Sequence, residues 1–246
     1  MPLLTEPDQV WPAVQVDRLL LADWAERWSP AVWESATPCQ DWVARAVVAH
    51  LVSMATATKS QGLRAYLSAG ANLDAASHAL ADQVVAGRTD TQILALLREH
   101  AGAQHTSPGL RPVGILAELV THLEDLSVAV GEAVHLPADH LETTLVYLQR
   151  RTRKNTRFHL TAQGRQPVLD GARRTQGLRL HATDIGWTHD PTAPTDPRDA
   201  PCEVRATVEG SAAALVLAMA GRQLGPSTVV GELTGDGVAQ LLSPAP

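Results

Sequence analysis

The sequence predicts an α+β fold, with a four-helix bundle over residues 1–155 and a small α+β domain over residues 156–246. Three observations carry this. The first half is a series of long segments whose apolar residues recur at helical spacing, joined by modest loops and almost free of β-branched alternation. After about Asp139 the composition changes, and short strand-like segments follow a last helix through Arg151. With 246 residues, 45% of them hydrophobic, the chain can bury a sizeable core as one large domain or two small ones, and the composition shift favours two.

Taken in order, Val10, Val14, Leu19, Leu21 and Trp24 mark a first helix over Asp8–Trp28, which Ser29-Pro30 ends. Thr37-Pro38-Cys39-Gln40-Asp41 is a turn, with Asp41 the expected N-cap of a second helix containing Val43, Val47, Val48, His50 and Leu51. Two Ala-rich stretches, Ala71–Ala86 and Asp90–His100, read as helices broken at Gly87, and Thr106-Ser107-Pro108-Gly109 is a loop. Pro112 opens a further helix that Gly131 stops. Strands are expected at Phe158–Thr161, Leu178–Thr183, Glu203–Val208 and Thr228–Thr234, with a helix over Gly210–Gly221 and a short final one capped by Asp236. The stretch Thr188–Pro201 is too poor in apolar residues to be core and reads as a surface loop.

Charge and cysteine content exclude several classes. Twenty basic residues against 26 acidic ones give a net charge of -6, the wrong sign for a nucleic-acid surface. The basic cluster from Arg150 to Arg157 reads as a solvated helix end running into a linker. Two cysteines far apart, Cys39 and Cys202, build no disulfide framework and suit a reducing compartment. No apolar run approaches the ~20 residues of a membrane span, and the amino terminus has no signal-peptide pattern, so a cytoplasmic protein is expected.

The chemistry-bearing residues are few. Glu118 and His122 are four apart, so on a helix both side chains leave one face about a turn apart. With His50 they make three nitrogen and oxygen donors, the number a catalytic zinc takes from protein while keeping a fourth position open. Each residue alone also fits an ordinary helical role. Their setting among Val47, Val48, Ile115, Leu116 and Val120 favours a metal, since ionisable groups placed amid core residues need neutralising. Asp125, three residues past His122, is positioned to orient a ligand from behind. Cys39 and the five tryptophans that crowd the first two helices, Trp11, Trp24, Trp28, Trp33 and Trp42, read as packing residues.

The run Trp33-x3-Thr37-Pro38-Cys39-x-Asp41-Trp42-x2-Arg45-x-Val47-Val48-Ala49-His50-Leu51-Val52, then Glu118-Leu119-Val120-Thr121-His122-x2-Asp125 and a late Ala220-Gly221-Arg222, resembles the mycothiol-dependent maleylpyruvate isomerase family. The resemblance spans nearly the whole chain and implies a DinB-like four-helix bundle with a small α+β C-terminal domain. It implies that His50, Glu118 and His122 ligate zinc, that mycothiol is the thiol cosubstrate, and that Arg222 is catalytic through an anionic ligand. The expected partners are a low-molecular-weight thiol and a small-molecule electrophile, with neither nucleic acid nor membrane. The implied reaction is thiolate addition to an activated double bond, followed by rotation and elimination in an isomerase, or ending at the adduct in an S-transferase. Two features depart from the family: Leu123 follows His122 where many relatives carry arginine, and the interval from His50 to Glu118 is short. The alternative is a non-catalytic metal-binding or small-molecule-binding protein on the same bundle.

Overall fold

The computed structural model describes residues 3–39, 41–106, 111–154, 158–161, 164–167, 175–193, 201–225 and 228–243. Its helices are α1 (Pro7–Ala25), α2 (Pro30–Trp33), α3 (Ala44–Thr56), α4 (Lys59–Ser68), α5 (Leu73–Val85), α6 (Asp90–Glu99), α7 (Pro112–Val130) and α8 (Ala138–Lys154). There follow β1 (Phe158–Thr161), β2 (Gly164–Pro167), β3 (Leu178–Ala182), β4 (Trp187–His189), β5 (Ala206–Gly210), α9 (Ala212–Met219) and α10 (Val238–Leu241). The chain is α+β, as the sequence predicts. Most of the expected loop at Thr106–Gly109, residues 155–157 of the basic cluster and residues 194–200 of the expected surface loop lie outside the described residues.

Four helices close the bundle: α1 packs on α6 and α7, and α3 packs on the same two. Each turns a stripe inward, with Val14 and Leu21 from α1, Val47 and Val48 from α3, Ile93 and Leu97 from α6, and Leu116 and Val120 from α7 all buried. Outside this ring α5 lies on α3, α4 on α5, and α8 on α7. The helix starts follow local chemistry. Thr89 opens α6 with a capping box to Gln92, and Pro112 at the head of α7 supplies a residue whose missing N–H goes unmissed there. Gly131 ends α7 in the left-handed conformation, φ 75°.

In the second half β3 is central in a sheet of order β4-β3-β5, antiparallel to β4 and parallel to β5, while β1 pairs with β2. Helix α9 is apolar all round and buried at every position but Ala213, because it packs against α7 and against α8 outside the bundle. The buried apolar residues of β3 and β5 and one face of α9, Ala212, Leu215, Val216 and Met219, therefore join those of the bundle in one core, while Ala214 and Leu217 on the other face pack with Val230 in a smaller cluster.

Several elements differ from the sequence reading. Asp41 does not cap α3; it sits in the left-handed region at φ 65° within the turn, and Val43 holds the N-cap position without a side-chain bond. Helix α4 was not expected. Trp187–His189, partly inside the expected surface loop, forms β4. Thr228–Thr234 is a turn that touches the sheet through one bridge between Glu209 and Thr234 rather than a strand. Asp236 bonds the Thr207 backbone N–H instead of capping α10, whose N-cap is Gly237.

Candidate metal centre

His50 lies at the middle of α3 and Glu118 and His122 on the middle of α7, two neighbouring helices of the bundle. One ligand atom from each lies within 4.8 Å of those of the other two. His122 Nε2 stands 4.0 Å from Glu118 Oε2, too far for a hydrogen bond and suited to an ion bonded at about 2 Å to each. The imidazoles of His50 and His122 meet edge to face with centroids 5.2 Å apart. The donors are thus drawn from one turn of α7 and one of α3, which is what the i,i+4 spacing dictates once the two helices pack.

The donor set fits a zinc-type ion. His50 Nδ1 is buried and has no hydrogen-bond partner, an arrangement that burial makes costly unless something else meets the nitrogen. Burial pushes the His50 pKa down to about 3, with the neighbouring His122 and His78 acting in the same direction and Glu118 against them. The ring is therefore neutral at ordinary pH, the form that binds metal.

Behind His122 stands Asp125, wholly buried. Its Oδ2 lies 3.0 Å from His122 Nδ1, and its two oxygens receive Arg222 Nε at 2.9 Å and Nη2 at 2.8 Å. Burial alone would raise the Asp125 carboxyl, but the bonds from His122 and Arg222 hold it below the ordinary carboxylate range. An ionised Asp125 accepts a proton-bearing Nδ1, which leaves Nε2 facing Glu118 with its lone pair.

Arg222 reaches this point by a helix-ending geometry. Gly221 is left-handed at φ 88°, its N–H bonds Ala218 O at 3.0 Å, and the Arg222 N–H bonds Leu217 O at 2.9 Å, a Schellman motif that folds the chain back beyond Ala220. The carboxylate that Arg222 meets belongs to the protein itself. Leu123, the departure beside His122, is fully buried in the core.

Three residues read as packing, or not singled out, adjoin the site. Trp42 lies edge-on to His50, centroids 5.3 Å apart, and His78 stacks at a tilt on the same indole, centroids 4.1 Å apart. The Cys39 thiol comes within 4.8 Å of ligand atoms of His122 and Asp125. Burial raises it to about 11 despite the opposing charge of Arg222. The signal for Trp42 and Cys39 was their position in the turn immediately before α3; nothing local marks His78. His50, Ser53, Met54, Lys59, Ser77 and His105 also line a small cleft of about 60 Å³. No described helix is long and apolar enough to cross a membrane.

No protein-family profile matches the chain, and no curated protein does. Solved structures do. A crystal structure of the mycothiol-dependent maleylpyruvate isomerase is 16% identical, with 96% of both chains covered and a TM-score of 0.53. A histidine-to-alanine mutant of that isomerase aligns over the same shares at 16% identity and a TM-score of 0.49. The chain therefore shares, along almost its whole length, the fold of the mycothiol-dependent maleylpyruvate isomerase.

Proposed function

We propose that this protein is a zinc- and mycothiol-dependent enzyme of the maleylpyruvate isomerase family, acting on a small electrophile by cis-trans isomerisation or S-transfer. The observation that carries the reading is the convergence of His50, Glu118 and His122, two imidazoles and one carboxylate, in a fold shared with an enzyme of that name. His50, Glu118 and His122 hold the zinc. A zinc ion with an open position supplies a Lewis acid that strips the proton from a bound thiol near neutral pH.

The protein's own groups do the rest. Asp125 keeps the Nδ1 proton on His122 so that Nε2 is the metal-facing atom. Trp42 packs edge-on against His50 and holds its ring in place. The cleft beside His50 receives the electrophile, and Lys59 supplies positive charge at its rim for an acidic substrate. Cys39, with its thiol held protonated, leaves the nucleophile to the cosubstrate. Residues 1–155 form the metal-binding unit and residues 156–246 the α+β unit. The two free cysteines suit a reducing cytoplasm.

The test is zinc content measured alongside turnover of maleylpyruvate and a panel of electrophiles, with and without mycothiol. Stoichiometric zinc with mycothiol-dependent turnover is the expected result. Tight zinc without any thiol-dependent reaction would replace the enzyme with a metal-binding protein.

A further inference from the structure

One contact joins the two halves of the chain at the metal centre. Asp125 is 0% exposed on α7, and its carboxylate is gripped by Arg222, which follows α9, 97 residues away in sequence. The grip is bidentate, at 2.9 and 2.8 Å, and Arg222 is itself largely buried, its side chain 16% exposed. A planar guanidinium holding both oxygens fixes the carboxylate plane, which a point charge cannot do. The same Oδ2 that takes Arg222 Nη2 faces His122 Nδ1 at 3.0 Å. With both oxygens committed, the orientation of the His122 ring is determined from the C-terminal half.

From this chain of contacts, which rests on the metal site proposed above, we infer that Arg222 is a positioning residue. It acts through Asp125 on His122, so that docking of α9 on the bundle and binding of zinc by His50, Glu118 and His122 strengthen one another. The coupling is reciprocal by thermodynamic necessity: whatever the docked Arg222 adds to zinc affinity, zinc returns to docking. The Schellman turn at Gly221 serves the same end, since it aims Arg222 back at α7 rather than into solvent.

The test uses the full-length protein with zinc alone as the probe. Zinc affinity is measured by competition with a chromophoric chelator for wild type, Arg222→Ala, Arg222→Lys, Asp125→Asn and the double variant. Hydrogen exchange of the amides from Ala212 to Arg222 is followed in the wild type with and without zinc. Loss of a partner that orients a metal-binding histidine weakens zinc binding by about 10- to 100-fold. That loss is expected for Arg222→Ala and Asp125→Asn, a smaller one for Arg222→Lys, and little further loss in the double variant, because the two residues act in series. Zinc should slow exchange in α9 of the wild type, a readout that needs no variant to fold. Unchanged affinity in the variants with native circular dichroism, or exchange indifferent to zinc, would overturn the coupling. A raised KM for an anionic substrate with zinc affinity intact would instead make Arg222 a substrate ligand. Wild type that binds no zinc would remove the metal site itself and the coupling with it, whereas zinc lost in His122→Ala but kept in Arg222→Ala sinks the coupling alone.

Discussion

Glu124, on α7 between His122 and Asp125, gives the sharpest stability prediction. It is 2% exposed, and burial, with Asp184 and Asp125 adding like charge, raises its carboxyl from 4.5 to about 8. Asp184 is fixed where it stands, because its Oδ1 accepts the Ala212 N–H at the start of α9, at 2.8 Å. The folded protein therefore keeps a proton on Glu124 that the unfolded chain releases above about pH 4.5. More protons bound in the native state means that stability falls as pH rises, across the window from about 4.5 to 8. At ~1.4 kcal/mol for each tenfold difference in proton affinity between the folded and unfolded chain, the full loss is on the order of 5 kcal/mol. Glu124→Gln removes the titration and keeps the shape. Urea unfolding at pH 5, 6.5 and 8, in chelator so that metal does not enter, should find variant and wild type close at pH 5. At pH 8 the variant should be more stable by roughly that amount, or on the order of 10 °C in Tm. Parallel pH dependence in the two proteins would refute the reasoning. Asp125 has the opposite sign: its lowered pKa contributes stability above its unfolded value that is lost as pH falls through the folded one.

Other expectations follow from the same structure. Chelating the metal should lower Tm by on the order of 10 °C without unfolding the protein, since the bundle core is apolar and continuous; complete unfolding in chelator would make the ion structural. Lys59→Met should raise KM for a carboxylate-bearing electrophile about 10-fold and leave zinc content and kcat near wild type, and an unchanged KM would take Lys59 out of the substrate cleft. With its thiol at about 11, Cys39 should be thiolate to only about one part in a thousand at pH 8 in metal-free protein, so alkylation there should lag well behind a model thiol; matching rates would contradict the burial argument.

How much of this was legible in the sequence depended on whether the signal was local. His50, Glu118 and His122 stood out because i,i+4 spacing and apolar neighbours are local properties, and the structure brings their donors together. Asp125 was visible for the same reason. The partner of Arg222 was not: it lies 97 residues away, and only the packing of α9 on α7 brings the two into contact. Helix α4 is less legible because its apolar pattern, Leu63, Tyr66 and Leu67, is confined to one short stretch after Gly62 and marks no core face: only Ala65 is buried, and Leu63 and Leu67 are exposed. The segment Thr228–Thr234 has β-branched residues and reads as a strand, yet Gly231 turns it at φ 94° before it can pair along its length. Asp41 is a good capping residue by type, but its left-handed backbone places it in the turn, and the helix begins beyond it.

In the proposed centre three side chains, His50, Glu118 and His122, hold one ion with a position open to a thiol. The most direct test replaces zinc with cobalt(II) and records the electronic spectrum as a small thiol is added to wild type, His50→Ala, Glu118→Ala and His122→Ala. Expected are about one cobalt per chain in the wild type, visible bands of a four-coordinate ion, a near-ultraviolet sulfur-to-cobalt band that grows with thiol, and loss of these in all three variants. Wild-type protein that takes up no cobalt, or variants whose spectra match it, would show that these three residues do not form the metal site.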